Sequence, residues 1–285
     1  MIAFHVSDLH GSKERFEILA SQLRQEKPQM LFIGGDLYPS FKEMRRSERD
    51  FFSDFFVPYF QQLKNELQSE YPKVFVILGN DDPKTEEIKF QSDNCRELWT
   101  YLNTSKSHFN GFDIYGYPYI PPTPFIYKDW ELYDVSRYVD PGCVHPTEGK
   151  RSVDPGRDVE FSSIKKDLEA LTTGQDLSNA IFLFHSPPYK TNLDRAALDN
   201  MFFDHIPLDV NIGSIAIREF IEEKQPLISL HGHVHESTRL TGDWKEKLNN
   251  TYCFNAASEQ NKFSIVIFEP KSLHEAKLKT FEYGE

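Results

Sequence analysis

Cysteine is scarce: Cys95, Cys143 and Cys253 are the only three in 285 residues, an odd number with no C-x-x-C spacing. That argues against a disulfide framework or a thiolate zinc site and leaves buried or incidental thiols. Long apolar runs are also missing. Stretches such as FSIVIF at residues 263–268 fall far short of the roughly 20 apolar residues that cross a bilayer, so no membrane partner is expected. No Gly/Ser linker, charge block or internal repeat divides the chain, and residues 1–285 are expected to form one domain. Positive charge is in deficit, with 32 Lys and Arg against 44 Asp and Glu and a net charge of −12. An acidic surface repels a polyanion, which makes long nucleic acid a poor partner. The first residues already read as a strand and leave no room for a leader peptide, so a soluble, cytoplasmic protein is expected.

What is present is an alternation of short β-branched or aromatic runs with polar helical stretches, the pattern of helices covering a largely buried sheet. Strands are expected at residues 2–7, 30–33, 74–78, 114–117, 180–184, 227–230, 251–254 and 263–268. Helices are expected at residues 13–25, 47–68 with a break at Pro58, 95–102, 161–172 and 214–223. Residues 118–158 do not fit the alternation; they are rich in proline and tyrosine and contain Trp130. This stretch reads as a surface excursion packed by its own aromatics or as a substrate-facing lid.

Asp8, Asp36, Asn80, His185 and His233 each follow a predicted strand, in the motifs Asp8-Leu9-His10, Gly34-Gly35-Asp36, Gly79-Asn80-Asp81-Asp82, His185, and Gly232-His233-Val234-His235. Ligands of open α/β sheets bind beyond the carboxyl ends of strands. Taken singly each motif is weak, since a capping Asp, a turn or a satisfied core histidine produces the same letters. On an extended segment His233 and His235, two apart, would face a common centre. Together, two carboxylates, one amide and four imidazoles make an N/O donor set large enough for two divalent cations, with manganese, iron, nickel and zinc all compatible. Two such cations bring +4 against −2 from Asp8 and Asp36, a net positive centre suited to an anionic phosphate.

This ordered set resembles the calcineurin-like metallophosphoesterase superfamily over residues 8 to 235. The resemblance implies a four-layer α/β/β/α sandwich of two mixed sheets. It implies one metal on Asp8, His10, Asp36 and His235, a second on Asp36, Asn80, His185 and His233, and attack on phosphorus by a bridging hydroxide. Asn255-Ala256-Ala257-Ser258 stands where the family usually has Asn-Pro-Gly-Ser, with no ligand at stake. A departure with more consequence is Asp81, which occupies the place of the family's phosphate-contacting histidine.

An ionised Asp81 repels a phosphate dianion more than a diester monoanion, so a small phosphodiester is the expected substrate. Asp81, Asn80 and Asp82 are the expected catalytic residues, with Asp82 able to raise the pKa of its neighbour. The alternatives are a phosphomonoesterase acting on protein or nucleotide, and a binding scaffold without chemistry. Secondary candidates are Tyr38, Lys190, Arg195 and Asn211 by position. Ser214 reads more simply as a helix N-cap, and the Arg45, Arg46 and Arg49 cluster as an exposed helix of mixed charge. Aromatics around Trp130 offer a stacking surface for a nucleobase.

Overall fold

The eight runs with the strongest apolar content form the interior strands of two six-stranded sheets. In this computed structural model, which describes residues 1–40, 43–44 and 50–284, the first sheet centres on β1 (Ala3–Val6). It lies between β2 (Met30–Gly34), parallel to it, and β13 (Lys262–Phe268), antiparallel, with β3 (Lys73–Ile77) beyond β2. The second centres on β10 (Ile228–His231), parallel to both β7 (Ala180–Phe184) and β12 (Thr251–Asn255), with β6 (Phe112–Tyr117) beyond β7.

Strand alternation sorts the apolar side chains into layers. Met30, Phe32, Phe75 and Ile77 from the first sheet share one buried cluster with Ile181, Leu183, Ile228 and Leu230 from the second. Their neighbours Leu31, Ile33, Val74 and Val76 face outward into a cluster that includes Phe16, Leu19, Phe56 and Phe60, from the helix Lys13–Glu26 and the turns around Val57–Leu67. On the other side Phe182 meets Phe220 of the helix Ile215–Lys224, which packs beside the helix Ile164–Thr172. The result is the expected order of helix, sheet, sheet, helix.

Six strands were not legible as strands. Four are the outer edges of the two sheets: β4 (Thr100–Tyr101) and β14 (Lys277–Glu282) on the first, β5 (Ser105–Phe109) and β11 (Lys245–Leu248) on the second. The other two, β8 (Phe202–Phe203) and β9 (Ile206–Pro207), form a separate hairpin. Residues 95–102 do not form the expected helix. A 3₁₀ turn at Asp93–Cys95 leads into β4, where Thr100 pairs with Phe75 and Tyr101 with Val76, because the open edge of β3 offers partners to two residues that favour strands. Between residues 50 and 67 the expected helix breaks as a π-helical turn, Phe52–Phe56, that passes into Val57–Leu67 at Pro58, a residue with no N–H to continue the ladder. The rest of that expectation, residues 47–49, and the Arg45, Arg46 and Arg49 cluster lie outside the described residues.

Residues 118–158 are packed down rather than loose. Trp130 is fully buried, and its indole N–H donates to the Asp82 carbonyl at 2.8 Å. Lys128 and Glu131 form a buried ion pair, and Arg151 donates to the Lys128 carbonyl. Asp134 accepts from Ser214 and from the backbone amides of Ile215 and Ala216, so it serves the first turn of the helix that Ser214 caps. With its ring inside, Trp130 itself cannot stack on a nucleobase, while Phe125, Tyr127 and Tyr138 of the same stretch are exposed.

Candidate metal centre

Five loops bring the seven candidate ligands together, each leaving the end of β1, β2, β3, β7 or β10. Ligand atoms of Asp8, His10, Asp36 and His235 all lie within 4.8 Å of one another, and so do those of Asp36, His185 and His233. Asp36 belongs to both groups. Asn80 adds its amide oxygen 3.0 Å from His185 Nε2.

Backbone conformation aims these side chains. Asp8, His10, Asp36 and His233 all have positive φ, between 45° and 70°, a left-handed region that non-glycine residues enter at a cost of about 1–3 kcal/mol each. Asp and His tolerate it better than most residues. His233 at φ 70° also corrects the reading of 233–235 as an extended segment. The chain bends there, so His233 joins Asp36 and His185 while His235 joins Asp8 and His10. Two motif glycines are required by close approach. A Cβ at Gly79 would stand 2.3 Å from Asp36 Oδ1, and one at Gly232 would stand 1.9 Å from Ser7 Oγ and 2.7 Å from Asp8 Oδ2.

Residues behind the ligands orient them. His185 Nδ1 faces the Gly34 carbonyl at 2.7 Å, which makes Nδ1 the protonated nitrogen and turns the Nε2 lone pair toward Asp36 and Asn80. Asp36 Oδ1 accepts the Asp81 backbone N–H at 2.9 Å, and Asp8 accepts the His233 N–H at 3.2 Å. Arg15, buried, donates to the Asp8 carbonyl and to the Glu259 carbonyl. Asn255 donates to the Val234 carbonyl and Ser237 Oγ, which anchors the bend carrying His233 and His235. Asn255 was marked in the sequence only by the family resemblance, and Arg15 reads there as one more helix-surface charge.

Asp82 is not placed for catalysis. It is buried, and its carboxylate accepts the N–H groups of Leu37, Tyr38 and Gly79, tying the loop after β2 to the loop after β3. Both oxygens are committed to backbone, so it positions the loops that carry Asp36 and Asn80. Asp81 sits at the exposed rim and accepts from Asn80 Nδ2 at 2.9 Å. Tyr38 is buried and donates to Glu86, Lys190 is exposed beside Tyr189, Arg195 pairs with Asp199, and Asn211 donates to Asp194; no hydrogen bond or ion pair joins any of these four side chains to a cluster ligand.

The charges are strongly coupled. Asp36's charge, with burial and Asp8 adding, raises Asp81 to about 7 against the opposing His185 and His235. Burial and Asp36 raise Asp82 to about 8 despite its amide partners. Burial works against charged His185, but Asp36, Asp8 and the Gly34 carbonyl raise it to about 10. Burial, helped by His185, lowers His233 to about 3. The carboxylates of Asp8 and Asp36, although buried, are held low by the surrounding histidines. Imidazole and carboxylate donors converging without lysine or arginine among them form a donor set that fits divalent cations, and a cation bound there would replace the proton that His185 otherwise binds.

The calcineurin-like phosphoesterase family profile matches residues 1–237. No curated protein sequence matches significantly. Among solved structures, the chain is similar to TT1561 of Thermus thermophilus, with 16% identity, 99% of this chain and 98% of that one covered, and a TM-score of 0.56. More distant are a dimetal phosphatase from Danio rerio, at 12% identity, 100% and 99% covered and a TM-score of 0.48, and an archaeal phosphodiesterase, at 9%, 99% and 100% covered and 0.46. Identities this low speak to fold alone.

Proposed function

Because the chain belongs to the calcineurin-like phosphoesterase family, a family of metal-dependent hydrolases, we propose that it hydrolyses a small phosphodiester at a two-cation centre. Asp8, His10, Asp36 and His235 would hold one cation, and Asp36, Asn80, His185 and His233 the other. The observation that carries this reading is the pair of donor groups sharing Asp36. Bound divalent cations would acidify a water and draw charge from the phosphoryl oxygens.

The chain's own residues set the rest. Gly34 holds the His185 ring in the tautomer whose Nε2 faces inward. Asp82 keeps the loops carrying Asp36 and Asn80 in register. At the rim, Asp81 stands beside Asp36, and cations bound there would oppose the effect that raises it and keep it ionised near neutral pH. An ionised carboxylate at the mouth repels a dianionic monoester more than a monoanionic diester. Assaying a mono- and a diester with the same leaving group, with manganese, iron, nickel or zinc supplied, tests this. Asp81→His is expected to shift the diester-to-monoester rate ratio about tenfold toward the monoester, and an unchanged ratio would remove the argument for diesters.

A further inference from the structure

A cleft of about 850 Å³ opens directly onto His233 and Val234, between residues 121–143 on one side and the β8–β9 hairpin on the other. That volume is typical of a small-molecule site. The two walls meet where Phe203 packs on Gly142: a Cβ at Gly142 would stand 3.0 Å from the Phe203 ring. Its lining is dominated by proline, aromatic and aliphatic side chains, and no Lys or Arg contributes to it among the described residues. Phe125 and Phe202 remain 62% and 60% exposed, Phe203 49%. Apolar surface left in water on both faces of a concavity is surface that a ligand covers.

The polar groups in the cleft narrow the choice of ligand. Asp134 is committed to the helix it caps, Asp209 accepts from Tyr189 Oη at 2.6 Å, Glu236 accepts the Ala197 N–H at 2.9 Å, and Asp140 adds a fourth carboxylate near Asp209. Among the described residues nothing cationic lines the cleft for additional phosphates, which disfavours a nucleoside di- or triphosphate body. It equally disfavours docking on an anionic bilayer. Only the metal end of the cleft attracts negative charge.

Resting on the phosphodiesterase reading above, we infer that the cleft receives one alcohol of the diester, and that this alcohol is a large apolar group without negative charge. Water supplies the oxygen to phosphorus, the opposite P–O bond breaks, and the departing alcohol takes the proton. The cleft-bound ester remains as a monophosphate.

The test uses a series of 4-nitrophenyl alkyl phosphates with methyl, butyl and octyl groups, which keeps the leaving group constant, on the metal-supplied protein. KM is expected to fall two- to fourfold per methylene over the first few carbons, with kcat within about twofold. Phe203→Ala and Phe125→Ala, on opposite walls and both exposed, should flatten that dependence. In parallel, octylphosphonate should bind at least tenfold more tightly than methylphosphonate by calorimetry. Tail-dependent binding without hydrolysis of any ester would sink the phosphodiesterase reading and leave the cleft assignment standing. Hydrolysis with a flat chain-length series would do the reverse. Variants that change association with neutral vesicles but not the series would make the cleft a membrane-docking surface and overturn the inference.

Discussion

The cleft is bounded by two unlike structures. Its floor is the donor cluster, where short loops leave rigid parallel strands and four ligands sit in a strained left-handed backbone. Its roof, residues 118–158, has almost no regular structure and is held by single contacts: Trp130 on the Asp82 carbonyl, Asp134 on a helix start, Lys128 on Glu131. Geometry at the floor is dictated by the sheets, while geometry at the roof depends on a few buried anchors. Chemistry that needs fixed donor positions sits on the first, and recognition of a particular substrate can vary on the second.

The largest effect that separates the two should come from the floor. Asp36→Ala removes the shared carboxylate and is expected to lower kcat/KM on the order of a thousandfold, with metal content falling by at least one equivalent while the cleft still binds octylphosphonate. Loss of apolar binding as well would mean that floor and roof are one unit. Next comes one of their direct ties. Trp130→Phe leaves the buried Asp82 carbonyl without its donor, and a denaturant melt should show a loss of about 1–3 kcal/mol. An unchanged midpoint would show that the roof is held by its other anchors.

Acid gives the smallest and most graded contrast. Burial, opposed by the Ser186 carbonyl, lowers His231 beneath the floor to about 3, so the unfolded chain takes a proton below about pH 6.5 that the folded chain refuses. Its contribution is present above that pH and is lost as pH falls toward the folded value. In the roof, burial raises Asp134 to about 6 against its Ser214, Ile215 and Ala216 donors, and its sign is opposite, with stability gained as pH falls through 6. Unfolding midpoints at pH 6.5 and 4.5 should therefore drop less in His231→Gln than in the parent, by up to about 1.4 kcal/mol per pH unit. An equal drop would remove His231 from the account.

Why the floor was legible and the roof was not follows from the same division. Interior strands such as Ala180–Phe184 are buried on both faces and announce themselves as apolar runs. Residues at their ends inherit a known location, which is why polar letters after them could be grouped. The edge strands, for example Lys245–Leu248 and Ser105–Phe109, are half solvated and read as polar linkers. In the roof, burial of Trp130 depends on a partner dozens of residues away, Asp82, and no local period records it. At the floor, the support Arg15 was equally silent, since a side chain bonded to a distant carbonyl leaves no mark on its neighbours.

Those same margins carry a lesson for the molecule in crowded solution. Lys277 and Lys279 lie on β14, Lys245 and Lys247 on β11, Lys106 on β5, and β4 is only two residues long. An incoming strand from a neighbouring copy would have to align against ammonium groups on three borders and would find almost no ladder on the fourth. An acidic chain thus spends part of its few cations where they discourage fibre growth rather than where they greet a ligand.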